Sequence, residues 1–500
     1  MEANPSTNSM RSNIEVTNRA ATTPPTVSSA VGLASMFNNT HSTYIAGGSF
    51  SINTTNVNTV NGPSLGALYK RAAPHAILNA GGRADEVRCH PGTREEVINH
   101  IEKWRDAEDS LTPPIFWLSG PAGAGKTAIV QTVAKRCNAQ RVPQANFFFF
   151  RTDPSRNNPS PLVVTLVHQI ILLYPSLRDP VATVLLTNPL ILDSILEDQL
   201  RQLIVTPLQV ARQSSSSYLP PLLLIDGLDE CESENKYSQR QILHAFDKVL
   251  AERPCPFRLL VATRDESQIR GSFNNISSPL IPLYLDDQYS PEDDIRVFVE
   301  SEFKRIQKTH PLARTLDATW PSVRDIESIV KKSSGQFIYA ATVMRFVMDS
   351  SASPMLSLAR VQSAAQITAN SKSPFSHLDT IYTYILSQVD DQETFGDILH
   401  AQLLILDYFS IHPASMFIER MTAMNILQAY NPKYSEAMLQ SCVADLTPIA
   451  QYTRNNGLLF YHASFPDYLL DKTRSRGYFV DIDAFNFKFQ PAWAKLPPLV

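Results

Sequence analysis

The sequence predicts an α/β protein in which a parallel sheet covered by helices comes first and a mostly helical region follows. Three observations carry this. Between Ile115 and Leu285 short apolar runs alternate with helix-period patterns, the mark of strands joined by helical crossovers. One of those strand-to-helix junctions reads Gly120-Pro121-Ala122-Gly123-Ala124-Gly125-Lys126-Thr127, the spacing of a phosphate-binding loop. Beyond Pro291 the strand pattern gives way to helical stripes.

Composition sets the outer limits. A chain of 500 residues has room for several domains. Its 43% hydrophobic and 18% charged residues are those of an ordinary globular protein, and a net charge of -4 offers no bulk attraction to nucleic acid. The polar start, Met-Glu-Ala-Asn-Pro, has no secretory core. The apolar runs Asn146 to Phe150 and Leu166 to Tyr174 are too short or too interrupted for a transmembrane segment. Cys89, Cys137, Cys231, Cys255 and Cys442 are scattered and form no Cys-x-x-Cys, which suits free thiols in a reducing compartment. The cytoplasm is the expected location.

Residues 1–84 stand apart. No Asp, Glu, Lys or Arg occurs between Arg19 and Lys70, and Ser, Thr, Asn and Gly dominate. Such a leader has too little apolar surface to offset its ordering entropy and is expected to be largely disordered. Residues 44–60 are the exception. Phe50 and Ile52 alternate with small polar residues there, and no charge opposes stacking, so a pairing or self-associating β segment is the alternative reading.

Folded sequence is expected from Asp85. Thr93-Arg94-Glu95-Glu96 has the capping-box pattern, Thr93 at the N-cap, ahead of the stripe Val97, Ile98, Ile101 and Trp104. Strands are expected at Ile115–Ser119, Asn146–Phe150, Leu222–Asp226, Arg258–Ala262 and Leu280–Leu285. Ser214 to Ser217 with Pro220-Pro221 marks the loop before the third strand. Helical stripes then run through Ile295 to Phe303, Ile326 to Val330, Phe337 to Val347 and Ile381 to Val389, with one further strand at Leu458–Tyr461.

The chemistry concentrates at two places. In the loop, Gly120, Gly123, Ala124, Gly125, Lys126, Thr127 and Ala128 are the candidate nucleotide-binding residues, because backbone N–H groups at a helix start wrap phosphate. Lys126 would reach the β- and γ-phosphates, and the Thr127 hydroxyl would ligate Mg²⁺. The second place is Leu222-Leu223-Leu224-Ile225-Asp226-Gly227-Leu228-Asp229-Glu230. Its aliphatics form a buried strand with Asp226 at the carboxyl end, where open parallel sheets bind ligands. Asp226, Asp229, Glu230 and Glu232 crowd together, which raises carboxylate pKa values unless a cation neutralises them. Mg²⁺ is the natural candidate, held by Asp226 through water, with Asp229 or Glu230 orienting the attacking water. Arg264 ends the next apolar run. Either it reaches a γ-phosphate or it pairs with Asp265, Glu266 or the acidic cluster. Arg151 and Arg156 read first as loop ion pairs and second as phosphate or partner contacts.

Taken together these residues resemble the NACHT-type STAND NTPases, in particular the fungal group whose P-loop region looks like that of nephrocystin. The matching pieces are Cys89-His90-Pro91-Gly92-Thr93-Arg94-Glu95-Glu96, the loop Gly120 to Thr127, Phe148-Phe149-Phe150-Arg151, Asp226-Gly227-Leu228-Asp229-Glu230 and Thr263-Arg264. Ser334 to Ala341 and His462-Ala463-Ser464-Phe465-Pro466-Asp467-Tyr468-Leu469-Leu470 extend it, so it covers about Cys89 to Thr473. The resemblance implies an ASCE P-loop NTPase domain at 85–290, a helical domain at 291–389, a winged-helix-like domain at 390–473 and a tail at 474–500. It also implies that the Arg264 strand lies between the P-loop strand and the Asp226 strand, and that His462 contacts the β-phosphate of ADP. Many relatives have a Gly-x-Pro turn near the adenine. Here Gly335-Gln336-Phe337 lacks the proline, which leaves Phe337 as a candidate to stack on the base. Many also carry a C-terminal repeat array that senses a trigger, whereas this sequence ends soon after the winged-helix region.

The function expected is an ATP/ADP switch with slow Mg²⁺-dependent hydrolysis, nucleotide-controlled homo-oligomerisation and an unknown upstream trigger or sensor protein, in signalling or defence. Two other readings stay open: a non-catalytic nucleotide-binding scaffold, and a constitutive P-loop NTPase or kinase.

Overall fold

The computed structural model describes residues 65–493 apart from 81–86, 110, 215–217, 232–236, 253–254, 365–374, 412–421 and 454–456. The segment 44–60 and Glu232 therefore lie outside the described residues.

Five runs of apolar residues form one parallel sheet: β1 (Ile115–Gly120), β2 (Gln144–Phe148), β3 (Leu222–Asp226), β4 (Arg258–Arg264) and β5 (Leu280–Tyr284). Their order is β2-β3-β4-β1-β5, which puts β4 between the loop strand β1 and the acidic strand β3. This is the order expected of an ASCE P-loop sheet. Side chains alternate across it. Ile115, Trp117, Phe147, Leu223, Ile225, Leu259 and Val261 face one core, together with the helix Ser160–Leu173. Phe116, Leu118, Phe148, Leu222, Leu224, Leu260 and Ala262 face the other, with the helices Glu95–Asp106 and Lys126–Gln140. Both faces are covered, so the strands read as continuous apolar runs.

Register sets the position of the site. Gly120 lies opposite Arg264 and Asp226 opposite Ala262, so the carboxyl ends of β1, β4 and β3 meet at one edge of the sheet. The second strand differs from expectation, spanning Gln144–Phe148 rather than 146–150. Its pairing with β3 stops where Phe148 meets Asp226, because β3 itself turns at Gly227 with φ +69°.

The folded chain begins earlier than expected. The helix Gly66–Arg71 buries Leu68 in the first core, and the Arg71 guanidinium pairs with Asp193 at 2.6 Å. The capping box at Thr93 does not form. Thr93 Oγ1 donates to the His90 carbonyl, and Arg94 takes the N-cap with φ 60°. The Arg94 N–H instead donates to Asp294 Oδ2 at 3.1 Å, so a carboxylate from a distant helix does the capping.

Past Pro291 the described chain is mostly helical, around a third core that runs from Ile295 to Phe489. The exception is an antiparallel hairpin of β6 (Ala450–Thr453) and β7 (Gly457–Phe460). A strand was expected near Leu458. Its partner was not, because Ala450-Gln451-Tyr452-Thr453 carries little apolar signal. Among the described residues no helix is long and apolar enough to cross a membrane.

Candidate functional site

A cavity of about 480 Å³ opens at the carboxyl edge of the sheet. Gly123, Gly125, Lys126, Thr127 and Ala128 line it from the loop, Asp226, Asp229 and Glu230 from the end of β3, and Arg264 from β4. His90, Thr93 and Arg94 close one side. The helical region supplies Phe298, Phe337, Ile338 and Arg345, and Tyr461, His462 and Ala463 follow the hairpin. The sequence-predicted residues thus share one cavity, except Gly120 and Ala124. Gly120 ends β1, and the Ala124 carbonyl accepts from Arg94 Nη2 at 3.0 Å.

The loop takes its shape from glycine. Gly123 and Gly125 have φ +78° and +94°, where a side chain is strained. A Cβ on Gly123 would also overlap the Ile338 side chain. The Lys126 ammonium donates to the Gly120 and Pro121 carbonyls, each at 2.9 Å. Burial lowers its pKa to about 8, and Asp229 opposes that shift.

The acidic turn is ordered by arginine. Asp229, 3% exposed, accepts from the Arg264 N–H at 2.8 Å and pairs with Arg264 Nε at 3.1 Å. Glu230 Oε2 accepts from the Arg151 N–H at 3.1 Å, and burial, with Asp229 beside it, pushes the Glu230 carboxyl up to about 7. Of the two readings of Arg264, the ion pair with the acidic cluster is present, while Asp265 pairs with Arg270. Arg156 is a loop ion pair, 2.7 Å from Asp153. Arg151 reaches instead to Asp467 at 2.7 Å.

His462 sits at the cavity wall. Its Nδ1 accepts the Ser464 N–H at 3.1 Å and lies 2.7 Å from Ser464 Oγ. An accepting Nδ1 assigns the proton to Nε2. Burial, then the charges of Arg264, Lys126 and Arg345, lower its pKa to about 3, so the ring is neutral in the physiological range. A neutral imidazole with Nε2–H is a donor for an anionic oxygen.

A divalent ion fits these residues. Thr127 and Asp226 offer a hydroxyl and a carboxylate to the same cavity. Among the described residues no cluster of three or more His, Cys, Asp or Glu side chains is arranged to hold a metal. Mg²⁺ matches such a sparse donor set, because it completes its shell with phosphate oxygens and water.

Five contributors were not assigned from the sequence: Arg94, Phe298, Ile338, Arg345 and Tyr461. Arg94, 4% exposed, stacks 5.0 Å from the Phe337 ring centroid. Arg345 lies 4.7 Å from the Tyr461 ring. Arg94 and Ile338 stand in motifs quoted from the sequence. Phe298 and Arg345 arrive by helix packing and Tyr461 by the hairpin before it.

Residues 92–264 match the family model described as Nephrocystin 3, N-terminal. With the loop and the strand order, this makes the region a P-loop NTPase module. A comparison with curated proteins found no match. Among solved structures the chain is similar to a Walker-type ATPase of Pyrococcus abyssi, at 14% identity and TM-score 0.36 over 77% of this chain and 98% of that one. It is similar to the Aeropyrum pernix ORC2 protein in ADPNP–ADP complexes, at 14% identity and TM-score 0.33 over 82% and 97%. AMPPCP-bound DnaA from Aquifex aeolicus shows 11% identity and TM-score 0.26 over 84% and 99%. Scores this low carry no inference about function.

Proposed function

We propose that the chain is a nucleotide-operated switch of the NACHT-type STAND kind, binding ADP in a closed form and ATP in an open, self-associating one. One observation carries the reading. The cavity at the phosphate loop is walled by three separate parts of the chain: the sheet edge, the helices beyond Pro291, and the segment after the hairpin. A ligand there touches all three, so its phosphate count biases how they sit together. An enzyme that only turns over nucleotide has no need of that enclosure.

In this reading Lys126 neutralises the terminal phosphates, and the loop N–H groups cradle them. Mg²⁺, when bound by Thr127 and Asp226, supplies charge neutralisation at the β- and γ-phosphates. Glu230, once ionised, and Asp229 align a water for slow hydrolysis, which resets the switch. The His462 Nε2–H donates to the phosphates of ADP and holds the hairpin segment closed. Phe337, with Arg94 over its ring, offers the base a stacking surface. The expected setting is cytoplasmic signalling or defence, with a separate protein as trigger.

Calorimetric titration of the full chain with Mg-ADP and Mg-ATP tests this. Both should bind at one site, and turnover should stay well below the ordinary enzyme median of about 10 s⁻¹. Absence of binding contradicts the reading. So does rapid, untriggered turnover.

A further inference from the structure

We propose that the Asp467 carboxylate is a latch that competes with a γ-phosphate for Arg264, with Arg151 as its second anchor. This deepens the switch reading above and rests on it. Asp467 lies on the helix Ser464–Leu469, beyond the hairpin. Its Oδ2 accepts from Arg264 Nη1 at 2.7 Å and its Oδ1 from Arg151 Nη1 at 2.7 Å. Arg264 ends β4 and Arg151 lies just past β2, the strands on either side of β3. One carboxylate therefore spreads its two oxygens over two guanidinium groups, much as a phosphate does.

The side chains are largely withdrawn from water: Asp467 is 18% exposed, Arg264 19% and Arg151 24%. Charge-assisted bonds in that setting are strong, and losing a partner leaves a buried charge unmatched. The arginines are also held independently of Asp467. Arg264 is fixed to Asp229, and Arg151 donates its N–H to Glu230 and Nη2 to the Asp229 carbonyl at 3.4 Å. The movable member is the helix Ser464–Leu469 together with the helical core in which Phe465, Tyr468 and Leu469 are buried.

Arg264 lines the nucleotide cavity, and Asp467, which is not part of that lining, holds its guanidinium from the segment beyond the hairpin. A third phosphate carries more negative charge than a carboxylate and addresses the same N–H groups. Its arrival costs Asp467 its Arg264 bond, and the helix gains a reason to leave. ADP has no group to contest the bond. Docking of this helix and binding of a triphosphate are thus antagonistic, and the coupling is reciprocal.

The test is the ratio of ADP to AMPPNP affinity, measured by titration of the full chain with Mg²⁺. Asp467→Asn should shift it about tenfold or more toward AMPPNP, and Arg151→Gln should shift it the same way. If wild type and both variants bind both nucleotides with one unchanged ratio, the latch is wrong and the nucleotide reading stands. If the wild type binds neither nucleotide, both fall. Should the variants fail to fold, amide exchange on the wild type decides. Amides of Ser464–Leu469 should exchange about tenfold faster with Mg-AMPPNP than with Mg-ADP. Equal exchange overturns the latch.

Discussion

Ile338 packs against Gly123 so closely that a single methyl group on the glycine would overlap it. This joins the phosphate loop to the helix Phe337–Asp349 with no room for a side chain. Gly123→Ala should therefore cost about 1–3 kcal/mol of stability, from the overlap and from φ +78°. It should also weaken nucleotide binding. Adding Ile338→Ala should recover the part due to overlap but not the part due to φ. Thermal unfolding of the single and double variants checks this, and strictly additive losses would argue against the contact.

Lys126 titrates where it can be watched. Its pKa near 8 means that much of the free protein carries it neutral at pH 8.5. Phosphates favour the charged form, so ADP binding at that pH should take up a proton. Calorimetry in buffers of different ionisation heat measures the uptake. Lys126→Ala should abolish it and weaken binding about 100-fold or more, the scale of a lost buried charge pair.

Glu230 links stability to pH in the nucleotide-free protein. Its folded pKa of about 7 is raised from 4.5, so the native state keeps a proton that the unfolded chain releases in between. Stability from this group is full below pH 4.5 and falls as pH rises to about 7, by up to about 3 kcal/mol. Glu230→Gln keeps an acceptor for the Arg151 N–H and removes the titration. The variant should gain on wild type between pH 5 and pH 8 in chemical denaturation. Its hydrolysis rate should drop about 100-fold while nucleotide binding persists. Wild-type hydrolysis should rise with pH through about 7.

His462, with its pKa near 3, stays neutral from pH 5.5 to pH 8, so its own contribution to ADP retention should be the same at both. His462→Ala should release ADP about tenfold faster, the worth of one hydrogen bond to a charged group. Stopped-flow exchange against unlabelled ADP measures this. An unaltered rate would remove the residue from the site.

These properties were unevenly legible in the sequence. The glycine loop and the Leu222–Asp226 run stand in local patterns, because their backbone shape and burial depend on adjacent residues. The sheet edges were harder to read. Phe149 and Phe150 are as apolar as the β2 residues before them, and only the end of β3 decides where pairing stops. Thr93 and Glu96 have capping chemistry, yet Asp294, 200 residues on, caps Arg94 instead. Leu65 and Leu68 sit in an otherwise uncharged polar leader, and their burial against Ser160–Leu173 depends on a helix nearly a hundred residues later. Asp467 shows the same limit most sharply. Its partner Arg151 is 316 residues away, so no local pattern announces the pair.

The most direct test is to purify the full chain without added nucleotide, identify what denaturation releases, and measure mass by light scattering before and after loading with Mg-ATP. The account predicts one ADP per chain on a small species that grows after ATP loading. A chain that releases no nucleotide and keeps the same mass with ATP would contradict it.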